Sequence, residues 1–185
     1  MWANYIKSDL SRYVGEDNLN YKSFLKEYFL NTGFKFSVWL RIAKFSHSPV
    51  LKTIARFQHL RFKQKKYLLD ISIKADIGYG LYLGHGGGIM VNRTAKLGNN
   101  VNLSPFTTIG SNHENAAEIG DNVYIGPNVS IVEDVKIGDN VKIGAGAVVT
   151  RDVPSSATAV GVPVKVLKID DTPNEYVINR WQSHH

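Results

Sequence analysis

Between about Ile71 and Thr150 an aliphatic residue returns every sixth position, and few folds accept that spacing. Ile71, Ile77, Leu83 and Ile89 keep one phase, and after a slip of two residues Val91, Leu97, Leu103 and Ile109 keep the next. A ten-residue step then leads to Ile119, Ile125, Ile131, Ile137, Ile143 and Val149. Glycine follows the aliphatic position repeatedly, at Gly78, Gly84, Gly98, Gly110, Gly120, Gly126, Gly138 and Gly144. A small or branched residue stands two places before it, as at Ala75, Val101, Thr107 and Val123. A period of six suits neither a helix nor a lone amphipathic strand, so it is read as a repeat. It predicts a triangular coil in which each unit is one flat side and three sides close a turn of about eighteen residues. The aliphatic side chains point inward and stack on their equivalents about 4.8 Å away. The corners require tight backbone, which glycine and the pairs Asp121-Asn122 and Asp139-Asn140 supply because they tolerate positive φ.

This stretch resembles the hexapeptide-repeat acyltransferases. The resemblance implies a mainly β fold, a left-handed parallel β-helix of roughly four coils over residues 70–167. A small N-terminal α-helical domain at 1–69 precedes it and a tail at 168–185 follows.

The N-terminal part carries apolar residues at helical spacing from Trp2 to Tyr13, Tyr21 to Leu30, Phe36 to Phe45 and about Leu51 to Tyr67, with Pro49 near the last start. Charge is unevenly divided. Residues 1–69 hold 13 Lys/Arg against 4 Asp/Glu, while residues 70–185 hold 9 against 12. The last helix concentrates Lys52, Arg56, Arg61, Lys63, Lys65 and Lys66. Such a run is either a solvated helix face or a surface drawn to anionic membrane or to a phosphorylated lipid-linked substrate. No nucleic-acid motif accompanies it, so nucleic acid is not the expected partner. No cysteine is present, which excludes disulfides, thiolate metal sites and a thiol nucleophile. Without a signal-peptide layout or a span of about 20 apolar residues, cytoplasmic residence is expected, with the inner membrane face as an alternative. The terminal His184-His185 is native or the remnant of a purification tag.

Chemistry concentrates at two histidines. His85 stands between Gly84 and Gly86-Gly87-Gly88, too poor in side chains to be a packed core residue. Asp70 lies fifteen positions earlier, which an eighteen-residue coil places on the adjacent coil within plausible reach. A carboxylate on one imidazole nitrogen fixes the tautomer and frees the other to take a proton. His113 lies in the irregular loop Gly110-Ser111-Asn112-His113-Glu114 that the ten-residue step extrudes. Zinc would need a third ligand near the two histidines, so no metal is expected.

Asp70-Ile71 through Gly84-His85, then Ser111-Asn112-His113, Lys142-Ile143-Gly144-Ala145-Gly146 and Gly161-Val162-Pro163 are similar to the serine acetyltransferases of this family. The resemblance implies direct transfer of an acetyl group from acetyl-CoA to a hydroxyl, with His85 as general base, Asp70 its partner and His113 an acceptor-side residue. It implies coenzyme A contacts at Gly110, Ser111, Pro127 and Ala145, with Arg151 or Lys165 for the nucleotide phosphates, and a homotrimer with sites between copies. Two positions depart from the pattern. Gly84 replaces an aspartate that receives the serine amino group, and Asn112 replaces an arginine for its carboxylate. Their loss leads to the expectation of a carbohydrate acceptor: O-acetylation of a sugar hydroxyl in surface polysaccharide biosynthesis, with serine O-acetylation as the alternative.

Overall fold

A computed structural model describes residues 2–63 and 67–182; Lys65, Lys66 and the terminal histidine pair lie outside them. Short strands stack into three sheets, each one side of a triangular solenoid. Side A is β1 (Asp70–Ile71), β4 (Met90–Val91), β7 (Thr108–Gly110), β10 (Ser130–Val132) and β13 (Val148–Val149). Side B is β2 (Asp76–Ile77), β5 (Lys96–Leu97), β8 (Glu118–Ile119) and β11 (Lys136–Ile137). Side C is β3 (Tyr82–Leu83), β6 (Asn102–Leu103), β9 (Tyr124–Ile125), β12 (Lys142–Ile143) and β14 (Ala157–Val160). All these neighbours pair in parallel, and β15 (Lys165–Ile169) then covers the outer edge of β14 antiparallel. The fold is a parallel β-solenoid of about four turns, as the period predicts.

The irregular steps become irregular coils. Met90 pairs with Thr108 and Ser130 with Val148, a turn of 18 residues each. Asp70 pairs with Met90, 20 residues on, because the slip of two adds to the corner at 84–89. Thr108 pairs with Ser130, 22 residues on, because the loop after β7 is four longer. Ile71, Leu83, Val101, Ile125, Ile131 and Ile143 are all fully buried along the axis.

The repeat glycines have a different cause from the one expected. Positive φ falls at Asn100, Asn122 and Asn140, on the corner between sides B and C, and not at Gly98 or Gly120. A Cβ at Gly98 would collide with the Asp121 carboxylate, and one at Gly120 with that of Asp139. Those carboxylates accept from the Asn99 N–H (2.6 Å) and the Asp121 N–H (2.7 Å) of the preceding coil. Glycine is therefore required by close approach between coils.

Four helices precede the coils: α1 (Trp2–Val14), α2 (Tyr21–Leu30), α3 (Thr32–Phe45) and α4 (Pro49–Arg61). Helix α3 starts four residues earlier than its apolar spacing suggests, because Asn31 caps it by accepting from the Phe34 N–H (3.2 Å). Ser48 caps α4, with Pro49 in its first turn. The expected reach of that helix to Tyr67 crosses residues 64–66, outside the described residues.

The helices close the open end of the first coil. Its outward carbonyls have no strand below them, and side chains stand in for the missing strand on every side of the triangle. On side A, His59 Nε2 donates to Ile71 O at 2.8 Å. On side B, Arg41 donates to Ile77 O (2.8 Å) and Gly78 O (2.6 Å), and Lys44 to Ala75 O. On side C, Arg12 donates to Gly80 O (2.7 Å), and the Tyr13 hydroxyl donates to Leu83 O and accepts from its N–H. Arg41 is itself paired in buried, bidentate fashion with Asp9 (2.9 and 3.0 Å). Phe36, Leu40 and Phe62 join the same buried cluster as the coil aliphatics.

The polar tail is also anchored. Asn174, 1% exposed, donates to Asn122 O and Val141 O, Tyr176 stacks on Tyr124, and the Trp181 N–H donates to Asn100 Oδ1. It passes beside α1, where Arg12 Nε donates to Ile178 O at 3.1 Å.

Candidate active site

Two corner columns flank side A, and the candidate residues divide between them. The column entering side A carries Gly84 and His85 in the first coil, then Pro127 and Ala145 in later ones. The column leaving side A carries Gly110, Ser111, Asn112 and His113, with Arg151 after β13. Lys165 lies apart from both, exposed at the start of β15.

His85 occupies the extra backbone of the first coil. In the other coils this corner uses one left-handed residue, at Phe106, Asn128 and Gly146. The bonds from Phe106 N–H to Gly87 O, Asn128 N–H to Pro105 O and Gly146 N–H to Pro127 O align those three with Gly88. His85 (φ 53°) and Gly86 (φ 53°) are additional left-handed residues. The Gly86 N–H donates to Gly84 O at 2.7 Å, closing a three-residue turn with His85 at its tip. A γ-turn with positive φ at a non-glycine residue is rare and costs about 1–3 kcal/mol. Packing holds it in place: a Cβ on Gly86 would stand 2.8 Å from Gly33 N at the start of α3. The imidazole itself is exposed. Strained backbone that projects one exposed histidine is a geometry associated with function.

Asp70 and His85 share the first coil, rather than lying on adjacent ones. Their separation of fifteen residues falls short of one full turn, which here takes 20 residues from Asp70 to Met90. Asp70 opens the coil and His85 lies on the corner that closes it. The Asp70 carboxylate is bonded to Lys63 Nζ at 2.9 Å, and His85 has no hydrogen bond or ion pair among the described residues.

At the other column the loop is organised by a residue that the sequence reading passed over, Glu133. Val132 pairs with Gly110, so Glu133 stands directly beside Ser111. The Ser111 hydroxyl donates to Glu133 Oε2 (2.8 Å) and accepts from the His113 N–H (2.9 Å). The Ser111 bond, aided by the Asn112 and His113 N–H groups, holds the Glu133 carboxyl below its usual range. His113 Nε2 lies 3.9 Å from Glu133, and its ring is largely exposed. Counting the ten-residue step into the coil would have revealed this pairing; the eighteen-residue rule conceals it.

The two histidines stand at opposite ends of side A. Six residues at about 3.3 Å each make a side about 20 Å long, too far for both rings of one chain to hold one small acceptor. No group of three or more His, Asp or Glu among the described residues is arranged to hold a metal. No helix there is long and apolar enough to cross a membrane.

Residues 116–151 match the family model described as bacterial transferase hexapeptide (six repeats). The chain is 38% identical over 130 residues to a probable serine acetyltransferase of Oryza sativa subsp. japonica, covering 64% of this chain and 43% of that protein. It therefore spans less than half the length of that relative. Among solved structures, the serine acetyltransferase of Neisseria gonorrhoeae in complex with serine superposes with a TM-score of 0.75 at 35% identity, covering 90% of this chain and 69% of the other. That of Brucella abortus strain S19 in complex with coenzyme A gives 0.75 at 26% identity, covering 91% and 68%.

These relatives correct the expectation of a sugar acceptor in polysaccharide biosynthesis. That reading took the missing ion partners at Gly84 and Asn112 as a preference for a neutral hydroxyl compound. Losing two charges removes contacts but builds no carbohydrate site. The carbohydrate acceptor and the membrane contact that accompanied it have no support from the relatives. With the solenoid, its six-residue period and a 35%-identical relative of which it covers 69%, the chain belongs to the hexapeptide-repeat β-helix acyltransferase family.

Proposed function

We propose that this protein is a cytoplasmic serine O-acetyltransferase that uses acetyl-CoA as donor. The observation that carries the reading is His85, exposed at the tip of a strained turn that only the first coil possesses. The relative solved with serine supports the acceptor, and the one solved with coenzyme A supports the donor.

A hydroxyl is a weak nucleophile until its proton is removed. His85 takes that proton as the serine oxygen attacks the thioester carbonyl. The new C–O bond forms, the C–S bond breaks, and the imidazolium returns the proton to the departing thiolate. The chain has no cysteine for a covalent relay, so transfer is direct. Asp70 orients the imidazole, which requires its carboxylate to exchange Lys63 for His85. The donor lies along the column entering side A. There a side chain at Gly87 or Gly146 would meet nothing within 4 Å, leaving backbone open to an extended amide-rich ligand. Pro127 and Ala145 line that column, Gly110 and Ser111 approach it from the other column of a neighbouring copy, and Arg151 and Lys165 are the cations proposed for its phosphates. His113 and Asn112 face the acceptor. Glu133 beside them supplies a carboxylate for the serine ammonium, a charge absent at Gly84.

Because the columns lie about 20 Å apart on one chain, the site is completed by a second copy. The His85 corner of one chain meets the His113 corner of its neighbour, and a trimer closes this arrangement three times. Thiol release from acetyl-CoA against serine, simple sugars and nucleotide-sugars tests the acceptor. Release that depends on serine is expected; release with a carbohydrate and not with serine overturns the assignment.

A further inference from the structure

A second cleft lies between α4 and the first two coils, with a volume of about 480 Å³. Arg56 and Lys63 reach it from the helix side, and Lys74 and Arg93 from successive coils at the corner leaving side A. Leu60 and Ile73 provide apolar wall between them. Among the described residues, the only carboxylate lining it is Asp70, which is already bonded to Lys63. His59 also faces the cleft, but its Nε2 is committed to Ile71 O and burial lowers its pKa, so it adds no charge near neutrality. The side chains of Arg56, Lys74 and Arg93 have no ion-pair partner among the described residues.

Elsewhere on the coils the fold places opposite charges together. Lys96 faces Glu118, and Lys142 faces Glu175. In this cleft the cations outnumber the one carboxylate among the described residues, which raises the energy of the free protein and creates a local field for anions. Three uncompensated cations exceed what one carboxylate neutralises, and two of them are guanidinium forks suited to bidentate phosphate contact. We propose that this cleft is a phosphate-binding site for a phosphorylated ligand whose organic part lies against Leu60 and Ile73. The inference rests on charge placement and on neither histidine, although Asp70 and Lys63 border both this cleft and the proposed acyl-transfer site.

Inorganic pyrophosphate, titrated calorimetrically into the 185-residue chain at low salt, tests it. One site per chain is expected, weakened about tenfold or more by Arg93→Gln, as for loss of a charge-assisted bond. Lys22→Gln, an exposed cation on α2, lowers net charge equally and leaves binding unchanged. No binding, equal affinity in Arg93→Gln, or equal weakening by Lys22→Gln overturns the proposal. Sedimentation with vesicles of phosphatidylglycerol and phosphatidylcholine identifies the source. Vesicle binding that Arg93→Gln abolishes and pyrophosphate displaces makes a lipid headgroup the ligand. Pyrophosphate binding without vesicle binding makes it a soluble phosphate compound. Neither readout involves acetyl-CoA, so failure here leaves the catalytic assignment standing.

Discussion

The coils and the helices that close them solve the same problem with different chemistry. Each coil satisfies its backbone by pairing with the next and buries one aliphatic residue per side. The first coil has no predecessor, so Arg12, Tyr13, Arg41, Lys44 and His59 bond its edge instead. A strand edge left bare invites pairing with another chain, and covering it with helices is a common remedy. Here the cover is built from polar side chains, two of them the buried guanidinium groups of Arg12 and Arg41. The comparison teaches that repetition confers stability in the coils, whereas the junction depends on a few irreplaceable polar contacts.

The largest test of that contrast is Asp9→Ala. It leaves the Arg41 guanidinium, 1% exposed, without its charge partner and should cost about 3–5 kcal/mol in urea unfolding. Ile125→Ala, a truncation at the centre of the coils, should cost about 2–5 kcal/mol. A loss in Asp9→Ala well below that range would mean that the junction is held by apolar packing after all.

Arg12→Met ranks next. It removes the group that ties α1 to Gly80, Asn102 and the tail carbonyl of Ile178. Each buried acceptor left bare costs about 1–3 kcal/mol. Hydrogen exchange should quicken at the amide of Trp181 and in α1 while the strands from β8 to β13 keep their protection. Uniform quickening would show that cap and coils unfold as one unit.

The smallest effect concerns pH. Burial lowers the pKa of His59 from its ordinary 6.5, so the native state favours the neutral ring. Its contribution is complete above the unfolded-state value near 6.5 and is lost as pH falls through that value toward the folded one. Wild-type Tm should therefore drop between about pH 7.5 and 5.5, and less steeply in His59→Gln. Parallel curves would remove His59 from the account of the junction.

This division also explains what the sequence made legible. The coil aliphatics announce themselves because identical demands recur every six residues, and both breaks in phase mark the corners where His85 and His113 stand. The glycines were visible but their cause was not, since the collision at Gly98 is with a side chain from another coil. The roles of Arg12 and Arg41 leave no sign in the sequence, because nothing local distinguishes a cation destined for a carbonyl edge from a solvated one. Asn174 reads as loose polar tail for the same reason. Glu133 becomes identifiable once the ten-residue step is counted into the register of the long coil. The acceptor was misjudged where two absent charges at Gly84 and Asn112 were given more weight than the overall likeness to serine acetyltransferases.

The central claim is that His85 is the base. Its most direct test is the initial rate of thiol release from acetyl-CoA in the presence of serine, for wild type and His85→Ala. The account predicts serine-dependent release that falls roughly 10²–10⁴-fold in the variant, with the fold intact by circular dichroism. Release at the wild-type rate from His85→Ala would contradict it.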